Sequence, residues 1–172
     1  MPDSPEPASA ERNPATAAKN SSQFVGFQIA GQKYAIPIDQ IQEIVIPDQV
    51  TLTPQVAACV EGVTNLRGQI IPVVNLRLLL DLETIARDDE TRMIVVNVSD
   101  RRIGLVVDSV SQVIRIPFEN IQPSLDTMTV EGNHDVAGFA KLDDVLFILL
   151  DMNEMLQPQR LTRPGSAPVS SV

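Results

Sequence analysis

Catalysis needs nucleophiles, proton carriers or metal ligands at workable spacing, and this sequence holds few of them. The one histidine, His134, lies in the polar run Glu131-Gly132-Asn133-His134-Asp135 and reads as an exposed loop residue. The one cysteine, Cys59, sits in Val56-Ala57-Ala58-Cys59-Val60 and reads as a buried small hydrophobe, with no partner base in sight. A single cysteine forms no internal disulfide and builds no zinc site. There is no Gly-rich phosphate loop, no Gly-x-Ser-x-Gly elbow and no His-Glu-x-x-His pair. The acidic run Asp88-Asp89-Glu90 suggests a Mg²⁺ or phospho-acceptor site, but the alternating βα pattern of a phospho-receiver is missing. It reads as a solvated linker. The expectation is a protein that is not an enzyme and carries no metal or cofactor.

Charge narrows the partners. The chain has 13 Lys and Arg against 22 Asp and Glu, a net charge of -9. Affinity for a phosphate backbone comes largely from Lys and Arg, so nucleic acid is not an expected partner. An anionic membrane surface is disfavoured for the same reason. No apolar run reaches the 18 or so residues of a membrane span, and no secretory signal opens the chain. The expected compartment is the cytoplasm.

The elements that would position any working residue lie between two loose ends. Residues 1–21 are rich in Pro, Ala, Ser and charge and are expected to be disordered; residues 157–172 repeat that composition. The stretch 22–156 carries 9 basic and 19 acidic residues, so the acidity belongs to the folded part.

That folded part repeats itself. Residues 24–45 align without gaps on residues 93–114, and 10 of 12 apolar positions are kept. Residues 62–80 align on 138–156 with 9 of 10 kept, and Gly62/Gly138, Leu66/Leu142 and Leu80/Leu156 are identical. Each half starts with a hairpin: Phe24 to Ile29, a turn at Gly31-Gln32, then Tyr34 to Ile38. In the second half Met93 to Val98 and Ile103 to Val107 flank a turn at Ser99-Asp100-Arg101-Arg102. Ile41, Ile44 and Val45 permit either one helical turn or a bent strand. A second hairpin follows around Arg67-Gly68, and Leu76–Leu82 and Met152–Leu156 suit short helices. About five short strands per half predict a small barrel or sandwich, used twice across one interface. The halves are expected near 22–87 and 88–156, with exchange of strands between them possible.

Two residues break the repeat. The turn Asn65-Leu66-Arg67-Gly68 becomes Lys141-Leu142-Asp143-Asp144 in the second half, and Glu43 becomes Gln112. Either turn suits a hairpin, so an arginine in one copy alone points to a task of that copy. Arg is favoured at binding hot spots through its planar fork of donors. Glu43 and Arg67 are either an ion pair or two independent surface charges.

The run Gly62-Val63-Thr64-Asn65-Leu66-Arg67-Gly68-Gln69-Ile70-Ile71-Pro72-Val73-Val74-Asn75-Leu76-Arg77 resembles the CheW-type coupling proteins of bacterial chemotaxis. Supporting stretches are Ile36-Pro37-Ile38 with Ile41-Gln42-Glu43-Ile44, then Gly104 to Val110, then Val136 to Phe139 before Leu149-Leu150-Asp151. They span 22–156 in family order. One departure is Asn75, where the family usually has Asp before Leu-Arg. The resemblance implies a mainly β fold of two intertwined five-stranded SH3-like barrels with short helices. It implies a non-enzymatic adaptor linking methyl-accepting chemotaxis receptors to the regulatory domain of the histidine kinase CheA, recruited to membrane receptor arrays. It also implies that Glu43 and Arg67 matter for coupling. The binding patch expected on this reading is Ile41, Glu43, Ile44, Asn65, Leu66, Arg67 and Gly68, with apolar Ile41 and Ile44 ringed by Glu43 and Arg67. The alternatives are a CheW-like scaffold of an array controlling surface motility or another two-component output and, from another class, a ligand-binding or enzymatic barrel.

Overall fold

The computed structural model describes residues 20–54, 57–123, 135–158 and 161. His134, residues 1–19 and most of the C-terminal stretch lie outside the described residues. The described chain is mainly β. The first half contributes β1 (Ser21–Ile29), β2 (Gln32–Pro37), β3 (Ile41–Val45), β4 (Val60–Leu66) and β5 (Gln69–Asn75), then the short helix α1 (Leu76–Leu79). The second half contributes β6 (Arg92–Val98), β7 (Arg101–Val107), β8 (Ser109–Pro117), β9 (Ile121–Pro123), β10 (Val136–Leu142) and β11 (Val145–Leu150), then α2 (Met152–Met155). Among the described residues, no helix is long and apolar enough to cross a membrane.

Runs of Val and Ile make these segments strands, and two-residue turns fold four pairs of them into hairpins. The turn residues Ala30-Gly31, Arg67-Gly68, Ser99-Asp100 and Asp143-Asp144 all have positive φ. That is the mirror-image turn whose twist matches the flanking strands. The first turn is therefore Ala30-Gly31 rather than Gly31-Gln32. Arg101 and Arg102 are not turn residues: they open β7, where Arg101 donates to the Leu156 carbonyl and Arg102 Nε to Gln42 Oε1 at 2.6 Å. The segment after β2 resolves as a 3-10 turn (Ile38–Gln40) and a strand, β3, kinked by a bulge between Ile41 and Glu43.

Each sheet draws strands from both halves. A five-stranded sheet runs β3-β6-β7-β5-β4 and a six-stranded sheet runs β8-β1-β2-β11-β10-β9. The opening hairpin of each half is thus inserted into the sheet built on the other half. The registers are equivalent down to the irregularities. Glu43 faces Val95 beyond a bulge as Gln112 faces Gly26, and Gly62 faces Val73 as Gly138 faces Leu149. The sixth strand, β9, has three residues; its counterpart is the single bridge Thr51 to Val63.

Both sheets close on themselves. Ile114 and Ile116 on β8 and Ile121 on β9 belong to opposite edges of the six-stranded sheet, yet pack into one cluster with Phe24, Phe147 and Leu149. A flat sheet would hold those edges roughly 24 Å apart. Val45 on β3 and Leu66 on β4, the edges of the other sheet, likewise meet Val73, Met93 and Val95. A third cluster lies between the barrels. It includes Phe27, Ile36, Val74, Leu76, Ile94, Leu105, Leu150, Met152 and Leu156, and it buries Cys59 as expected of a small hydrophobe. The fold also reaches slightly beyond 22–156. Ser21 is buried at the start of β1, and Leu161 packs against this shared core.

The identity of Gly62 and Gly138 has a steric cause. A Cβ on Gly62 would lie 2.1 Å from the Thr51 carbonyl oxygen, and its φ of +150° disfavours any side chain. At Gly138 the Gln122 carbonyl oxygen would be 2.5 Å away. In both barrels a neighbouring backbone crosses where a side chain would stand.

Candidate functional site

The residues that break the repeat meet in space. Arg67 occupies the left-handed first position of the β4–β5 turn, with φ of 53°. Its neighbour Gly68 donates its N–H to Asn65 Oδ1 at 2.9 Å, a side-chain-to-backbone bond that tightens the turn. From there the guanidinium reaches across to β3. Arg67 Nη2 donates to Glu43 Oε1 at 2.8 Å, and Nε lies 3.2 and 3.3 Å from the two carboxylate oxygens. Arg67 and Glu43 are thus an ion pair and not independent charges.

The pair is lopsided in exposure. The Arg67 side chain is 73% accessible and that of Glu43 22%. Glu43 faces Val95 across the ladder, and Val95 belongs to the interior of the five-stranded barrel. Directly opposite residues share a face of the sheet. Glu43 therefore leaves the apolar rim of this barrel and Arg67 covers it from the turn. The hydrogen bond from Arg67 holds the Glu43 carboxyl below the usual carboxylate range, and the charges of Arg67 and Arg102 act the same way. The carboxylate in turn raises Arg67. Both groups stay charged across the physiological range. An exposed, permanently charged fork in a preset orientation is suited to recognition and has no proton to trade.

The rest of the expected patch is divided. Leu66 is half-buried against the interior of the five-stranded barrel, and Ile41 packs against the shared core. Ile44 is 38% exposed, but it follows Glu43 directly in a strand and so points to the other face. The patch expected of Ile41 and Ile44 ringed by Glu43 and Arg67 is therefore not one continuous surface. Asn65, Arg67 and Gly68 are exposed at the turn.

Ile70 was not singled out in the sequence. It pairs with Asn65 just after the turn and is 64% exposed. The signal was present: Ile70-Ile71 breaks the alternation of β5, since Ile71 is buried and its neighbour must face outward. Leu146, the equivalent of Ile70 in the other barrel, is also exposed, at 50%. The two barrels thus show similar apolar side chains beside turns of opposite charge.

Hydrogen bonding accounts for the departure at Asn75. Its Oδ1 accepts from the Arg77 N–H at 2.9 Å, capping α1, while its Nδ2 donates to Glu61 Oε2 at 2.7 Å. A carboxylate could cap the helix but could not donate to Glu61. The side chain of Asp151, the equivalent residue, has only the capping task among the described residues and accepts from the Glu154 N–H at 3.2 Å. The acidic run in the linker is also structural. Asp88 Oδ1 accepts from the Glu90 N–H at 2.8 Å, and Thr91 Oγ1 accepts from the Asp88 N–H at 2.9 Å. Among the described residues, no three His, Cys, Asp or Glu side chains converge as a metal site would require.

The chain is similar to known proteins along most of this fold. The model of the CheW-like domain matches residues 23–160. The chemotaxis protein CheW of Klebsiella aerogenes is 32% identical over 152 residues, covering 86% of this chain and 92% of that protein. The chemotaxis protein CheW of Helicobacter pylori is 37% identical over 135 residues, covering 78% and 81%. The crystal structure of the scaffolding protein TtCheW from Thermoanaerobacter tengcongensis superposes with a TM-score of 0.73 at 30% identity, over 79% of this chain and 92% of that one. From the exchanged hairpins to the Asn-Leu-Arg-Gly turn, the match runs through every element that builds the site, and the chain belongs to the CheW-like domain family.

Proposed function

We propose that the protein is a non-enzymatic adaptor that couples methyl-accepting chemotaxis receptors to the histidine kinase CheA. The observation that carries this reading is the contrast between two equivalent turns. One backbone geometry is used twice, and only the first copy bears Arg67 clamped by Glu43. Relatives named for chemotaxis and for scaffolding support it. The working residues are Glu43 and Arg67, with Asn65 and Gly68 holding the turn and Leu66 seating it. Ile41 and Ile44 contribute from β3, both on the face opposite Glu43, Ile41 packed against the shared core and Ile44 partly exposed. The mechanism is binding and geometry alone: two barrels fused through one core present two faces, so two partners are held together without a chemical step. The protein acts in the cytoplasm and is recruited to receptor arrays at the membrane.

Reconstitution tests this. Receptor signalling fragments in membranes, the kinase and this protein are mixed, and phosphotransfer from ATP is followed. Receptor control of the kinase should require the protein and vanish on its omission. Control that persists without it, or turnover by the protein alone, rejects the adaptor reading.

A further inference from the structure

A second ion pair stands apart from the first, at the place where the chain passes between barrels. Strand β7 belongs to the five-stranded sheet and ends at Val107; β8 belongs to the six-stranded sheet and begins at Ser109. Asp108 is the single residue between them. Arg77, on α1, grips its carboxylate with two donors, Nε to Oδ1 at 2.9 Å and Nη2 to Oδ2 at 2.6 Å. The remaining guanidinium arm, Nη1, donates to the Glu83 carbonyl at 2.9 Å, where the linker between the halves begins.

The same carboxylate also reaches the other barrel. Ala30, in the β1–β2 turn of the six-stranded sheet, donates its N–H to Asp108 Oδ2 at 2.8 Å. The Asp108 N–H donates to the Gln28 carbonyl at 3.2 Å. Both ionic side chains are largely covered, at 14% and 22% accessible. The Arg77 bonds, helped by that of Ala30, hold the Asp108 carboxyl below its ordinary range. Three segments therefore converge on one carboxylate, α1, the crossover itself and the exchanged hairpin, and Arg77 ties the linker to them.

The pseudo-equivalent crossover lacks this. Its counterparts are Asp39, Asn153 and Ser99, and no side-chain hydrogen bond or ion pair joins them among the described residues. That crossover is a three-residue 3-10 turn, Ile38–Gln40, in place of one residue.

We infer that Arg77 is a positioning residue, which through Asp108 fixes the angle between the two barrels. The shared core is apolar and its attraction is non-directional, so it resists separation more than small rotation. A bidentate ion pair is directional and has one good geometry. For an adaptor, the angle between barrels sets the spacing of the two partner faces, and simultaneous engagement fails when that spacing is wrong. The functional half of this inference rests on the adaptor reading above.

Residual dipolar couplings of the full chain, compared with Arg77→Ala, test it. One alignment tensor should fit both sheets of the wild type, while the variant should need a separate tensor for each. In the reconstituted mixture, Arg77→Ala should lower kinase stimulation about tenfold with the affinity for each partner alone unchanged. Arg77→Lys should recover part of the loss, since it keeps the charge without the fork. Should Arg77→Ala not fold, Asp108→Asn gives the same comparison with the side-chain size kept. A single tensor fitting the folded variant overturns the inference. So does a loss of binary affinity that matches the loss of stimulation. If the wild type itself stimulates no kinase, the adaptor reading fails, while the tensor comparison still decides what Arg77 does.

Discussion

The two β-hairpins that end at Leu66–Gln69 and Leu142–Val145 have the same register, the same bulge beside a glycine and the same left-handed turn. Beyond that backbone they part. One turn carries Arg67 bound to Glu43; the other carries Asp143 and Asp144, and Gln112 stands where Glu43 would be. The two barrels share what folding demands and diverge where folding sets no demand. Gly62 and Gly138 are kept because a carbonyl oxygen sits where a Cβ would go. Arg67 and Asp143 differ because an exposed turn position tolerates either.

The largest effect should come from breaking what the barrels share. Gly62→Ala forces a side chain onto the Thr51 carbonyl and should cost about 3 kcal/mol or more in urea unfolding. Gly138→Ala should also destabilise, through its clash with the Gln122 carbonyl. Tolerance of alanine at both sites would mean that the equivalence is one of pattern only.

A smaller loss should follow from making the halves more alike. Asn75→Asp copies Asp151 into the first half, where it meets Glu61. It should cost about 1–3 kcal/mol, because a buried donor becomes an acceptor facing a carboxylate. Glu61→Gln in the same chain should restore most of it. The reverse exchange, Asp151→Asn, keeps the cap and should change stability little. Equal effects of the two exchanges would remove Glu61 from the explanation.

The smallest effect on folding, and the sharpest on function, should come from the turns. Arg67→Ala should leave the melting temperature within roughly 3 °C of the wild type, as expected of an exposed position. It should weaken assembly with kinase and receptor about tenfold if it behaves as a hot spot. Arg67→Lys should recover this only in part. Asp143→Ala should change neither reading. Equal damage from the two turns in a pull-down of the ternary assembly would dissolve the contrast between them.

Much of this was legible in residue order. Apolar spacing in two ungapped segments was enough to find the repeat, because strand pairing has a period of two and a slipped register would turn a barrel inside out. The hairpins followed from the same signal, although the first turn falls one residue earlier, since Ala30 accepts the left-handed conformation usually left to glycine. Arg67 and Glu43 stood out because a repeat supplies its own control.

Other features were decided only in three dimensions. The pattern of each opening hairpin is satisfied equally by its own half or by the other. Its exchange depends on where the shared core can be closed, which no local spacing encodes. That Ile41 and Ile44 share the face opposite Glu43 was equally hidden, because the bulge between Ile41 and Glu43 breaks the alternation that would have set them on different faces. Arg77 and Asp108 are 31 residues apart and belong to ordinary surface residue types. Their pairing exists because the parallel contact of β5 with β7 brings the end of one strand beside the end of the other. Apolar periodicity is a local property and can be read from residue order. Which strand ends become neighbours depends on chain crossing, and that is settled only when both barrels close around one core.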